Sequence, residues 1–191
     1  MVCLFLALAA MMRMSKQNPN RLDAEFFSGT ALDMAPKLLG SKIFRRFLDG
    51  SVKSFTITEV EAYMGENDKA NHASKGKTPR TQVMYKAGGY IYVYLVYGMH
   101  WMFNIVTGGE GSPEAILLRG VSGCSGPGRL TRMLEIDSRL NGMHLSDLKD
   151  LWIEKAQQKI SYSAGPRIGV DYAGEYWSKI PWRFWINPQE Y

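Results

Sequence analysis

Thr58-Glu59-Val60-Glu61-Ala62-Tyr63 sets two carboxylates and a phenol at alternate positions. On an extended strand, side chains two apart share a face, so Glu59, Glu61 and Tyr63 stand together. Such a row is either a polar outer face or one wall of a pocket. In a pocket, one carboxylate becomes a candidate general base. A second pattern is Gly89-Tyr90-Ile91-Tyr92-Val93-Tyr94-Leu95-Val96-Tyr97-Gly98. Tyr90, Tyr92 and Tyr94 alternate onto one face, as a packed tyrosine ladder does. Tyr97 falls out of that phase, just before a glycine, and reads as a ring projecting from the surface where a strand meets a turn.

The chain around these residues is basic, with a net charge of +5 and a pI of about 9.2. The distribution is more informative than the total. From Lys69 to Gly109 there is no Asp or Glu, and Lys69, Lys75, Lys77, Arg80 and Lys86 fall inside that stretch. Ala115 to Leu134 is also free of acids and holds Arg119, Arg129 and Arg132. Clustered positive charge is what phosphate binding requires; a solvated basic face is the plain alternative. An exposed ring in such a surface suits a wedge that enters a duplex and replaces a displaced base. Cys3 and Cys124 form no Cys-x-x-Cys pair, and His72, His100 and His144 are scattered, so no metal site is expected. Two lone thiols fit a reducing compartment.

The elements that must position these residues follow from periodicity and turn chemistry. The apolar spacing of Leu32, Ala35, Leu38 and Leu39 predicts a helix over 30–39, stopped by Gly40. Residues 42–48 and 54–63 read as a hairpin around Asp49-Gly50. The segment 66–82 reads as a functional loop with a short helix near 69–73. Strands are expected over 90–96, 102–106 and 115–120, a helix over 129–140, and short strands at 151–154, 167–170 and 183–186. Strands joined by short turns outnumber helices. That predicts a single α+β domain, a mainly antiparallel curved β-sheet with flanking helices. The domain is expected over 21–191. Residues 1–20 read as an apolar leader and a disordered polar segment, with Met14 as an alternative start. The apolar run 1–12 is too short to span a bilayer and lacks a basic stretch before it.

Glu61-Ala-Tyr63, His72, Thr78-Pro-Arg80, Tyr92-Val-Tyr94-x-x-Tyr97-Gly-Met-His100, Asn104 and Pro113-Glu-Ala-Ile-Leu-Leu-Arg119 together resemble the alkyladenine (3-methyladenine) DNA glycosylase family. Gly126-Pro-Gly-Arg-Leu-Thr131, Pro166-Arg-Ile-Gly-Val170 and Pro181-Trp-Arg-Phe184 extend the match over roughly 21–186. The Pro-Glu-Ala stretch before Arg119 is similar to the bacterial branch. The resemblance implies an enzyme that flips an alkylated purine out of double-stranded DNA and hydrolyses its N-glycosidic bond. Glu61 then matches the water-activating base, and Arg119 the residue that orients water and Glu61. Tyr63, His72 and Tyr94 match the walls of the base pocket. Asn104 matches the residue at its floor that disfavours the exocyclic amine of guanine, and Tyr97 the intercalating wedge. Lys77, Arg80 and Arg129 are candidates for the DNA backbone.

The residue types suit that chemistry. An alkylated purine carries positive charge, which a π-rich cage attracts by about 0.5–2 kcal/mol. The charge also makes the base a good leaving group, so one carboxylate suffices where ordinary glycosidases use two. No lysine at a matched position is poised as a nucleophile, so hydrolysis without a Schiff base or strand cleavage is expected. Further expectations are no cofactor, a monomer, no membrane, and a bacterial cytoplasmic location at the nucleoid when acting. The alternatives are a module that binds distorted DNA without chemistry and a hydrolase of free nucleosides. Lys86-Ala-Gly-Gly89 stands where the family resemblance implies a more Pro-rich turn, a departure expected to loosen the loop before the tyrosine strand.

Overall fold

Nine strands form one open antiparallel sheet in the computed structural model, which describes residues 18–187. The leader expected at the N-terminus lies outside the described residues. In chain order the strands are β1 (Lys42–Arg46), β2 (Val52–Tyr63), β3 (Ile91–Val96), β4 (His100–Thr107), β5 (Glu114–Val121), β6 (Cys124–Ser125), β7 (Leu151–Glu154), β8 (Ser163–Gly165) and β9 (Arg183–Trp185). The main path runs β3-β4-β5-β2-β1-β7, with β6 on β5 and the β8–β9 pair on β2. Among the described residues, three α-helices accompany it: α1 (Ala31–Leu38), α2 (Pro127–Met133) and α3 (Glu175–Lys179). The α+β antiparallel architecture read from the sequence is therefore present.

β2 is the longest strand and the spine of the sheet. Its first half pairs with β1, and its second half lies between β5 and β9. Ile57 faces Val121, Val60 faces Leu118, and the pairing between them is irregular around Glu59 and Gly120. One extra residue in β2 is matched by one in β5, so the overall register is kept. The inside–outside phase of both strands nevertheless reverses. Ile57 and Val121 belong to the apolar core before the irregularity, and Val60, Ala62, Leu118 and Ile116 after it. Residues of opposite parity, Glu61, Tyr63, Leu117 and Arg119, are thereby left for the other face. Gly120 permits the close approach: a Cβ there would meet Thr58 Oγ1 at 3.1 Å and Glu59 Cβ at 3.2 Å.

α1 closes the core with Ala31, Met34, Ala35 and Leu38. Thr30 caps it by accepting from the Asp33 N–H, and the buried Glu114 carboxylate accepts from the Ala31 N–H at 2.7 Å. Gly40, at φ 79°, ends the turn that follows. α2 begins with Pro127 at its first turn and lays Leu130 into the core.

Three expectations are corrected. The helix over 129–140 breaks at Leu134: Glu135 adopts φ 50°, and only a short 3-10 turn, Ser138–Leu140, follows. The short helix near 69–73 is a 3-10 turn at His72–Lys75. The strand at 167–170 does not form. Gly169 lies at φ 76°, and the Ile168 N–H bonds a carboxylate instead of a strand neighbour.

The loop 86–89 is closely packed at its two glycines. A Cβ on Gly88 would lie 2.1 Å from the Phe27 carbonyl oxygen, and one on Gly89 2.4 Å from His144 Nε2. Both glycines are buried and let backbone and ring approach closely. Gly88→Ala is expected to cost about 3 kcal/mol and to lower the thermal midpoint by at least about 6 °C. A calorimetric midpoint equal to that of the unsubstituted chain would show that the loop yields freely.

Candidate active site

Glu61 is fully buried on the face of β2 away from the core. Its Oε2 accepts from the Tyr63 hydroxyl at 2.8 Å, and its Oε1 from the Ile168 N–H at 2.8 Å. Arg119 Nη1 stands 3.4 Å from Oε1. Burial pushes the Glu61 carboxyl above its usual range, while Arg119, the Ile168 N–H and the Tyr63 hydroxyl pull it back. The alternation read from the sequence thus does bring Glu59, Glu61 and Tyr63 to one face. Arg119 binds both carboxylates, donating from Nε to Glu59 Oε1 at 3.0 Å. Glu59 also accepts from Arg183 at 3.2 Å.

Two residues that sequence reasoning missed hold this arrangement. Arg167 and Asp68 form a fully buried ion pair with two contacts, one of them 2.8 Å. Arg167 also donates to the Ala62 carbonyl at 3.0 Å, and its guanidinium lies 4.7 Å from the Tyr63 ring centroid and 5.1 Å from that of Trp182. Asp68 accepts from the N–H groups of Met64 and Ala70. The pair clamps the 166–168 segment onto β2 and so delivers the Ile168 N–H to Glu61. Its two members are far apart in sequence, and neither sits in a periodic pattern. The one available signal was the Pro-Arg-Ile-Gly-Val string already noted in the sequence.

A cavity of about 470 Å³ opens in front of these groups. Tyr63, Arg119 and Ile168, the three residues that hold Glu61, form part of its wall, and the Glu61 carboxylate lies behind them. His72, Tyr92 and Tyr94 form another part. The His72 and Tyr94 rings pack at 4.4 Å and 64°, and His72 Nδ1 is 3.0 Å from the Tyr92 hydroxyl. Burial, with the nearby Arg80 cation, lowers the His72 pKa to about 4, so the ring is neutral at pH 7. Burial raises the hydroxyls of Tyr63, Tyr92 and Tyr94, which stay protonated. The cage therefore presents uncharged π-faces.

Asn104 is buried and lines the cavity. Its Nδ2 donates to the Tyr92 carbonyl at 3.1 Å and the Met102 carbonyl at 3.4 Å. Both contacts hold the side-chain amide against the backbone of β3 and β4. Tyr97 lies at the tip of the β3–β4 hairpin, 89% exposed, in the left-handed region at φ 52°. Leu95 and Met99 are also exposed there. Arg80 stands with its guanidinium 5.3 Å from the Tyr94 ring centroid. Lys77 and Arg129 are exposed, Lys77 over Tyr85 at 5.5 Å.

A buried carboxylate, a guanidinium beside it, a neutral aromatic cage and a protruding tyrosine thus share one cavity and its rim. A family profile described as methylpurine-DNA glycosylase matches residues 25–124 and 122–190. The chain belongs to that family. Membership makes it a DNA glycosylase, an enzyme of DNA repair. A relative from Natranaerobius thermophilus is 39% identical over 191 residues, covering 87% of this chain and 96% of its own. One from Methanocella arvoryzae is 40% identical over 184 residues, covering 86% and 91%. One from Bacillus cereus is 39% identical over 193 residues, covering 85% and 93%. All three carry the provisional name 3-methyladenine DNA glycosylase. Among the described residues, no helix is long and apolar enough to cross a membrane.

Arg167→Met leaves Asp68 charged and unpaired. It is expected to cost about 3–5 kcal/mol in urea unfolding, because the stranded charge stays buried. Adding Asp68→Asn should restore part of that loss. A double variant no more stable than Arg167→Met would show that the cost comes from the ring and carbonyl contacts alone.

Proposed function

We propose that this glycosylase flips an alkylated purine from duplex DNA into the cavity and hydrolyses its N-glycosidic bond with water activated by Glu61. The observation that carries the reading is the Glu61 carboxylate, held by Arg119, Tyr63 and Ile168 behind the wall of a neutral aromatic cage. Each carboxylate oxygen has two acceptor directions. On Oε2 the Tyr63 hydroxyl takes one, which leaves the other for a water proton. Water oxygen bonds to the sugar C1′, its proton passes to Glu61, and the base departs with the electron pair of the broken bond. A carboxylate also suits the positive charge that develops on the sugar. A cationic base leaves neutral and needs no strong acid; an uncharged lesion must gain a proton as it goes.

Flipping costs a few kcal/mol, least for a damaged base. Tyr97, exposed beside the cavity, offsets part of this by stacking, worth about 1–3 kcal/mol. Lys77 and Arg129 remain candidates for phosphate contact. The cavity is complete within one chain, which suits a monomer on duplex DNA. 3-Methyladenine and 7-methylguanine are the substrates proposed, with hypoxanthine and ethenoadenine as uncharged candidates. Asn104 excludes the amine of normal guanine.

Duplexes carrying each lesion, incubated with the protein and assayed for abasic sites, test the reading. Release of bases without strand cleavage is expected. Glu61→Gln should slow release by about 10²–10⁴-fold while duplex affinity stays within a few-fold. Substantial turnover by that variant would remove Glu61 as the base. The active form is the carboxylate, so release falls as pH drops through the Glu61 pKa. Since burial raises that pKa, the acidic limb of the single-turnover profile should lie above the ordinary carboxylate range.

A further inference from the structure

We propose that Arg80 sets the lesion preference of the cavity, weighting it toward uncharged purine lesions and against cationic ones. The inference rests on the base-excision reading above and concerns charge within the same site.

The cage is lined by π-faces, which favour a cation. The fixed charges around it do not. Arg119 and Arg183 stand against Glu59 and Glu61, with Glu59 contacting both arginines and Glu61 contacting Arg119. Arg167 is matched by Asp68. Arg80 is different. It lines the cavity, its guanidinium lies 5.3 Å from the Tyr94 ring centroid, and among the described residues no carboxylate pairs with it. One solvent-exposed positive charge is therefore left without an ion-pair partner on the cavity wall.

That guanidinium already faces the ring a cationic base would use. Burial, and after it the Arg80 cation, lowers the His72 pKa, so the same guanidinium also bears on that ring. A bound 7-methylguanine cation meets the same repulsion; hypoxanthine, uncharged, does not. Arg80 also borders a second groove, of about 870 Å³, whose wall includes Lys69 and Lys75. A phosphate contact from that groove is the competing role, and it would act on all lesions alike.

The test is the ratio of duplex affinities, hypoxanthine over 7-methylguanine, for otherwise identical duplexes whose 2′-fluorinated lesion nucleotide resists cleavage. Arg80→Gln is expected to move that ratio about tenfold toward 7-methylguanine, the change for losing roughly 1.4 kcal/mol of repulsion. Arg80→Lys should keep it near the starting value. In the unsubstituted chain, raising salt from about 50 to about 200 mM screens an exposed charge. The ratio should then drift the same way, and in Arg80→Gln it should not. This arm requires no variant to establish the drift itself. An unchanged ratio, with both affinities lowered and the salt slope of binding reduced by about one, would make Arg80 a phosphate contact and overturn the proposal. A shift toward hypoxanthine would overturn it as well. An unsubstituted chain that releases neither base from unfluorinated duplexes would sink the base-excision reading itself, a failure distinct from either of these.

Discussion

The whole site depends on where the phase of β2 reverses. Ile57 and Glu61 are four residues apart, and in a regular strand they would share a face. That face would be wrong for one of them, either exposing Ile57 to the cavity or pressing a carboxylate into the aliphatic core. An unpaired carboxylate in that core would cost far more than the strand could recover. The irregularity at Glu59 and Gly120 removes the conflict. Because β5 carries a matching extra residue, the pairing beyond it is undisturbed, and Arg119 is turned to the same side as Glu61. A side chain at Gly120 would press on the side chains of Thr58 and Glu59.

Charge is then handled in layers. Asp68 and Arg167 are both fully buried, and a buried pair returns little net stability because each ion loses its hydration. What the pair supplies is position. Arg167 reaches the Ala62 carbonyl on β2 and the rings of Tyr63 and Trp182, which draws residue 168 against the strand. The Ile168 N–H can then point at Glu61 without belonging to any strand. Arg119 divides its guanidinium between Glu59 and Glu61, and Arg183 approaches Glu59 from β9. The result is a carboxylate whose desolvation is only partly offset. That balance keeps it more basic than a surface glutamate while fixing its orientation.

Much of this was legible in the sequence where it depended on local period. The placement of Glu59, Glu61 and Tyr63 follows from strand alternation. The exposed Tyr97 follows from being out of phase with Tyr90, Tyr92 and Tyr94. α1 falls inside its predicted span because Thr30 and Gly40 are strong local boundaries. What depended on distant partners was not legible. Arg167–Val170 has the apolar content of a strand, and only the Asp68 clamp shows why its backbone turns away to serve a carboxylate. The helix predicted to run to Leu140 stops early because Glu135 takes a left-handed conformation that periodicity does not reveal. Arg80 read as a candidate contact to the DNA backbone, and its place against Tyr94 emerges only once the 76–81 loop is packed beside β3.

Tyr97 shows a cost that folding alone does not explain. A non-glycine residue in the left-handed region is disfavoured by roughly 1–2 kcal/mol, and glycine or asparagine would fit the turn with less strain. The ring gains no compensating burial, since it is almost fully exposed. Yet that backbone conformation is what lets a three-residue connection join β3 to β4 while throwing the side chain outward from the sheet. The strain at Tyr97 and the burial of Glu61 thus oppose stability at the two ends of one site. Both are sustained by the same run of paired strands, β3-β4-β5-β2, which links the exposed tyrosine to the buried carboxylate.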